Sequence, residues 1–277
     1  MGPRNPTTIQ DGPVPSEYSD GPPPLFLVHD ASGLVNTYYK LAPLGCRVYG
    51  LWDPKFDQDG IGGWQSIQQI AEAYVRLIRR VMIRGEIILG GWSFGGLIAV
   101  QMAHLLATSG QRLRSVKIIL IDTVFPGCNL PGAEKTPAEE QHVPKLPGIS
   151  DATREKLLTA LMRATSIADR WHFPLWASRP VGCSVEDQEA VIILEASGVP
   201  VPPPVVLIRA KQMVPLAEDG SKCPLDRTRF LPQLGWEHMQ PDFVTCVLET
   251  AGNHYTIFDD GDNIQHISSC IKKALAV

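Results

Sequence analysis

The stretch EIILGGWSFGGLIAVQMA, residues 86–103, carries two patterns back to back. A short continuous apolar run, EIILGGW at 86–92, reads as a strand buried on both faces. From Phe94 onward Leu97, Val100, Gln101, His104 and Leu105 recur at helical steps until Gly110 stops the pattern. At the junction, Gly91, Ser93 and Gly95 satisfy G-x-S-x-G in the strand–turn–helix setting that this motif requires. A serine at the apex of so tight a turn takes strained backbone geometry and presents its hydroxyl above the sheet. Glycines are then needed at 91 and 95, where side chains would collide. The helix N-terminus adds a favourable dipole and a free backbone N–H from Phe94. Ser93 is therefore the candidate nucleophile; the plainer alternative is an ordinary serine in a Gly-rich turn.

Working outward, similar apolar runs occur at LFLVH 25–29, RVYGLW 47–52, SVKIILID 115–122, PVVLIRA 204–210 and FVTCVLETAG 243–252. Helical spacing joins Ile67, Ile70, Ala71, Tyr74, Val75, Ile78 and Val81, and again Ile264, Ile267, Ile271 and Leu275. Strand and helix alternate, which predicts an α/β architecture with a mostly parallel sheet flanked by helices. Residues from about 125 to 203 are too many for one crossover helix, so they read as an inserted helical subdomain. Its helix candidates are 151–168 and 185–197, and VPVPPP at 199–204 returns the chain to the sheet.

The chain has 277 residues, 44% of them hydrophobic, and a formal net charge of −4. One core is expected. An acidic balance lacks the basic surplus that nucleic acid or an anionic membrane would demand. Six Cys at 46, 128, 183, 223, 246 and 270 form no C-x-x-C pair, and no metal site is implied. The first 24 residues hold seven Pro and little to bury, so 1–24 reads as a disordered tail or linker and 25–277 as the folded domain. The N-terminus is no secretory signal, and nowhere does an uncharged apolar stretch reach membrane-spanning length, so a cytoplasmic protein is expected.

A serine needs a base, and seven His are available: 29, 104, 142, 172, 238, 254 and 266. His254, in GNHYTIF at 252–258, directly follows the last strand and reaches the sheet edge that carries Ser93. For the orienting acid, Asp122 ends a buried strand 29 residues after Ser93; the rivals Glu218, Asp219 and Asp226 sit in AEDGSKCPLD, which reads as solvated. Asp122 is preferred, with helix capping as its bland alternative. Oxyanion donors are expected from the backbone N–H of Ala31, in HDASG at 29–33, and of Phe94. His29 reads either as an oxyanion neighbour or as a strand-end histidine holding that loop by a hydrogen bond, and the second is preferred.

LFLVHDASGLVNTYYKLAPL, GGWSFGGLIAVQMA, LIDTVFPG, PVVLIRA and GWEHMQP with GNHYTIF together resemble the thioesterase domains of polyketide synthases and nonribosomal peptide synthetases, most closely those of fungal iterative polyketide synthases. The resemblance runs over about 25–275 and is weakest at 130–200. It implies the α/β-hydrolase fold with a mobile helical lid, Ser93, Asp122 and His254 as nucleophile, acid and base, and Ala31 and Phe94 as oxyanion donors. It also implies an acyl thioester substrate on the phosphopantetheine arm of an acyl carrier protein, with no cofactor of the chain's own. Hydrolysis is ranked first, with macrolactonisation and Claisen cyclisation sharing the same three residues. A general ester hydrolase and a catalytically silent binding protein are the competing readings.

Within the insert, Trp171, Phe173 and Trp176 either line an apolar acyl tunnel or pack the lid onto the sheet edge. Arg154, Lys156, Arg163, Arg170 and Arg179 are candidates for carrier docking, although a solvated helix face looks the same.

Overall fold

The computed structural model describes residues 4–13, 21–56, 63–110, 112–127, 151–178, 198–216, 220 and 222–277. They form a seven-stranded sheet: β1 (Thr7–Gln10), β2 (Leu25–Val28), β3 (Val48–Leu51), β4 (Gly85–Trp92), β5 (Leu113–Ile121), β6 (Val205–Ala210) and β7 (Cys246–Thr250). The spatial order is β1-β3-β2-β4-β5-β6-β7. Every neighbouring pair is parallel except β1 with β3. The helices are α1 (Ile67–Ile78), α2 (Phe94–Thr108), α3 (Asp151–Asp169) and α4 (Gly261–Ala276).

The unbroken apolar runs are explained by burial on both sides. Phe26 and Val28 join the core under α1 and α2, while Leu25 and Leu27 join the core under α4. Strand β5 divides in the same way, Ile118 and Leu120 to one face and Ile119 and Ile121 to the other. Two of the helices start at polar caps. The Ser66 hydroxyl accepts from the Gln69 N–H at 3.2 Å, and the Asp260 carboxylate accepts from the Asn263 N–H at 2.7 Å.

The expectation of a disordered tail through residue 24 is corrected by β1, which lies antiparallel on β3 at the sheet edge. Four residues with one inward apolar side chain, Ile9, give no periodic signal. Their attachment is polar: the Gln10 amide donates to the carbonyls of Leu41 (3.0 Å) and Ala42 (3.1 Å), and its carbonyl accepts from the Leu44 N–H (2.9 Å). Between β5 and β6 the described part of the expected insert is α3 and the segment after it. The helix expected at 185–197 lies outside the described residues. Among the described residues no helix is long and apolar enough to cross a membrane.

Candidate active site

Strand β4 ends in a forced turn. Ser93 has φ 56° and ψ −121°, and α2 begins at the next residue. A Cβ on Gly91 would lie 2.3 Å from the Gly95 carbonyl carbon, and one on Gly95 would lie 2.4 Å from the His29 carbonyl oxygen. Both glycines are thus fixed by backbone atoms that cannot move aside. Serine at a helix N-cap ordinarily bonds the first-turn N–H groups. Here it makes no such bond, and the strained torsions aim Oγ at His254 instead.

His254 Nε2 lies 3.0 Å from Ser93 Oγ, and Nδ1 lies 2.8 Å from Asp122 Oδ2. A carboxylate can only accept, so Nδ1 carries the hydrogen and Nε2 of the neutral ring is left to accept from the serine hydroxyl. The three residues read from the sequence as nucleophile, base and acid therefore form one hydrogen-bonded chain. His254 is reached through Gly252, at φ 82°, where β7 gives way to the loop. Trp92 backs the imidazole at a ring distance of 5.5 Å.

Asp122, fully buried at the end of β5, takes φ 43°. Its Oδ1 accepts from the Ala210 N–H (2.7 Å) and from Arg229 Nη1, and its Oδ2 also accepts from Arg229 Nη2 (2.8 Å). Burial pushes this carboxyl up, but the hydrogen bonds and charges of His254 and Arg229 outweigh it and hold the group well below the usual carboxylate range. The rival Asp226 is also buried, against the expectation of a solvated stretch. Arg229 Nε donates to its Oδ1 (3.0 Å) and the Val214 N–H to its Oδ2 (2.6 Å). Glu218 and Asp219 lie outside the described residues.

His29 takes the anchoring role. Its Nε2 pairs with the Tyr74 hydroxyl and its Nδ1 with the Asp30 carbonyl, each at 2.5 Å. A second buried tyrosine ties this loop to the turn: the Tyr38 hydroxyl donates to the Val28 carbonyl (2.7 Å) and accepts from the Trp92 N–H (2.9 Å). Burial raises the Asp30 carboxyl, against the bonds from Ser32 and the charges of His29 and His254.

Ala31 and Phe94 border a cavity of about 320 Å³, walled opposite by Thr159, Ala160, Arg163 and Ala164 of α3. The aromatic trio of the insert lies elsewhere. Trp171 and Phe173 pack with Phe125 and Trp236 at ring distances of 6.1–6.3 Å, and Trp176 packs on His104 at 4.9 Å. The Trp171 indole N–H donates to Gln101 Oε1 at 2.9 Å. These contacts are those of the packing alternative, in which the rings fasten the insert onto α2 and the sheet. Of the basic candidates, Lys156 and Arg163 border the cavity, Arg170 is exposed, and Arg179 lies outside the described residues. Among the described residues no group of three or more His, Cys, Asp or Glu is placed to hold a metal ion.

Arg229, Tyr38 and Tyr74 were not singled out by sequence reasoning as supports of the site. Each is a polar group closing a gap between distant segments, and only the tertiary structure shows which gap.

A family model described as the thioesterase domain matches residues 23–170. The probable thioesterase gloN of Glarea lozoyensis is 32% identical over 265 residues, 91% of this chain and 89% of that protein. An orsellinic acid synthase of Beauveria bassiana is 32% identical over 289 residues, covering 98% of this chain and 13% of that one. Among solved structures, a covalent complex of the NocB thioesterase domain with a fluorophosphonate nocardicin G analogue matches with TM-score 0.63 at 22% identity, covering 92% of this chain and 96% of that one. That likeness speaks for the fold, which is of the α/β-hydrolase kind. With the family model spanning more than half of its length and gloN related along nearly all of it, this chain belongs to the thioesterase family.

Proposed function

We propose that the protein releases a polyketide acyl chain from the phosphopantetheine arm of an acyl carrier protein, through an acyl ester on Ser93 and by hydrolysis. The observation that carries this reading is the unbroken chain from Ser93 Oγ through His254 to Asp122. Ser93 Oγ attacks the thioester carbonyl while His254 Nε2 takes its proton, and Asp122 steadies the imidazolium that forms. The negative charge on the carbonyl oxygen is met by the N–H groups of Ala31 and Phe94. The second of these lies at the start of α2, where backbone donors have no partner within the helix. His254 then gives its proton to the departing thiol. Water, activated by the same histidine, frees the acid.

Two observations favour an acyl group held beside this chain. Ala31 and Phe94, the donors named above, border the cavity of about 320 Å³, and its opposite wall mixes the small side chains of Thr159, Ala160 and Ala164 with Arg163. The match to a stretch of an orsellinic acid synthase favours a polyketide over a fatty acyl chain.

The test pairs an N-acetylcysteamine thioester with the matching oxygen ester and follows the intact mass of the protein. A mass increase of one acyl group, absent in Ser93→Ala, together with faster turnover of the thioester, is expected. Strong preference for the oxygen ester would reject thioester release in favour of general ester hydrolysis. Formation of a lactone or a carbon-cyclised product would replace water by an internal nucleophile.

A further inference from the structure

The charge arrangement behind Asp122 goes beyond what a three-residue chain requires. Asp122 has both oxygens filled on every side: the Ala210 N–H and Arg229 Nη1 on Oδ1, His254 Nδ1 and Arg229 Nη2 on Oδ2. The guanidinium that clamps it is itself buried, at 5% exposure, and is gripped from behind by the buried carboxylate of Asp226. Its Nη1 is further aligned by the Ala210 carbonyl at 3.3 Å. Asp226 is held in turn by the Val214 N–H. The line Asp226, Arg229, Asp122 therefore alternates in charge behind His254 and the Ser93 hydroxyl.

Resting on the reading of Ser93, His254 and Asp122 as the reacting residues, we propose that Arg229 is a positioning residue. It fixes the plane of the Asp122 carboxylate and sets at −1 the net charge of the Asp226, Arg229 and Asp122 cluster behind His254, with Asp226 holding Arg229 in place. Two features separate this from simple packing. A bidentate guanidinium leaves the carboxylate one orientation, and that orientation points Oδ2 at His254 Nδ1. And because Arg229 shares Oδ2 with the imidazole, it draws off part of the negative charge that would otherwise favour the imidazolium. The arginine thus matches the charge of one of the two carboxylates that lie behind His254.

The other groups around His254 do not supply that balance. The loop after β2 offers Asp30, which is bonded to Ser32; β4 and the turn offer Trp92 and Ser93; the loop of His254 itself offers Tyr255, against which Cys223 sits. Burial raises Tyr255 and Cys223, so neither is an anion near neutral pH. Among the described groups named here Arg229 is the one cation, set between Asp122 and Asp226, while Asp30 stands apart on the loop after β2.

The experiment is the rate of Ser93 labelling by a fluorophosphonate across pH 4–9, which needs no knowledge of the native acyl chain, with melting temperature as the check on folding. Arg229→Gln removes the positive charge, and the acidic limb of the rate profile should move up by about one pH unit. Arg229→Lys keeps the charge but loses the fork, so its limb should stay in place while the plateau rate falls roughly tenfold or more. The double variant Arg229→Gln with Asp226→Asn restores the net charge, and its limb should return towards the wild-type position with the plateau still low. Asp226→Asn alone touches neither Asp122 nor His254; it should move the limb down by a few tenths of a unit, and it decides the matter if no arginine variant folds.

Folded variants with wild-type plateaus and unmoved limbs would overturn the assignment and leave Arg229 as packing alone. Failure of the wild-type protein to label at Ser93 is a different result, which would remove the underlying reading of the three residues along with it.

Discussion

The two ends of the hydrogen-bonded chain at the carboxyl edge of the sheet are built from opposite materials. At the Ser93 end nothing is charged: two glycines, a strained serine and a helix start are squeezed together by backbone sterics within five consecutive residues. At the Asp122 end the geometry comes from charge. Asp122 at the end of β5 meets Asp226 and Arg229 from one turn more than a hundred residues on, with the Ala210 and Val214 N–H groups completing the carboxylates. A steric device is compact in sequence and indifferent to pH, whereas an electrostatic one spans the chain and responds to acid. The first positions a group by leaving it nowhere else to go, the second by balancing groups that are each costly to bury alone.

The sharpest way to separate the ends is to remove one function at each. Ser93→Ala should cut acyl-thioester turnover by about 10⁶-fold while the melting temperature holds or rises, because the strained turn loses only a hydroxyl; a large fall in melting temperature would show that the turn needs its serine to fold. Asp122→Asn should cut turnover by about 10⁴-fold. It should also lower stability by about 3 kcal/mol, since it leaves Arg229 buried beside a neutral amide, and urea unfolding would reveal a purely kinetic effect instead.

Gly95→Ala tests the steric end by itself. With its Cβ forced to 2.4 Å from the His29 carbonyl oxygen, the variant should lose about 3 kcal/mol or more, read by thermal unfolding; wild-type stability would mean the loop after β2 yields. The smallest effect belongs to acid. Because the folded protein holds Asp122 below its unfolded value of about 3.9, the network stabilises above about pH 4 and loses that contribution as pH falls further. Unfolding followed at pH 5, 4 and 3 should show the decline in the wild type and a flatter curve in Asp122→Asn.

The same contrast explains what could be read in advance. Gly91, Ser93 and Gly95 announce themselves because their constraint is local, and His254 follows because chain order and the last strand place it. Asp122 was separable from its rivals by its position at the end of a buried strand. The Asp226 stretch misled because charged letters in a Gly- and Lys-containing segment look solvated, while the buried arginine that neutralises Asp226 stands three residues on and carries no pattern. The rings of Trp171, Phe173 and Trp176 were visible as a cluster. Their partners Phe125, Trp236 and Phe243 come from three other places in the chain, so tunnel and packing could not be told apart beforehand. Strand β1 escaped notice because backbone ladders and one glutamine hold it, and neither has periodicity.

That edge strand carries a consequence for how the domain can be joined to others. Running against its neighbour, β1 brings Thr7 opposite Gly50, near the carboxyl end of β3, and the Asn5 side chain donates to the Trp52 carbonyl at 2.7 Å just beyond it. Arg4 and Asn5 thus lie at the rim that bears Ser93, with β1 three strand spacings, or about 14 Å, to one side of β4. A partner module fused there would be leashed on the working face rather than behind the sheet, so that shortening the leash would restrict where the partner can sit without first having to carry it around the molecule.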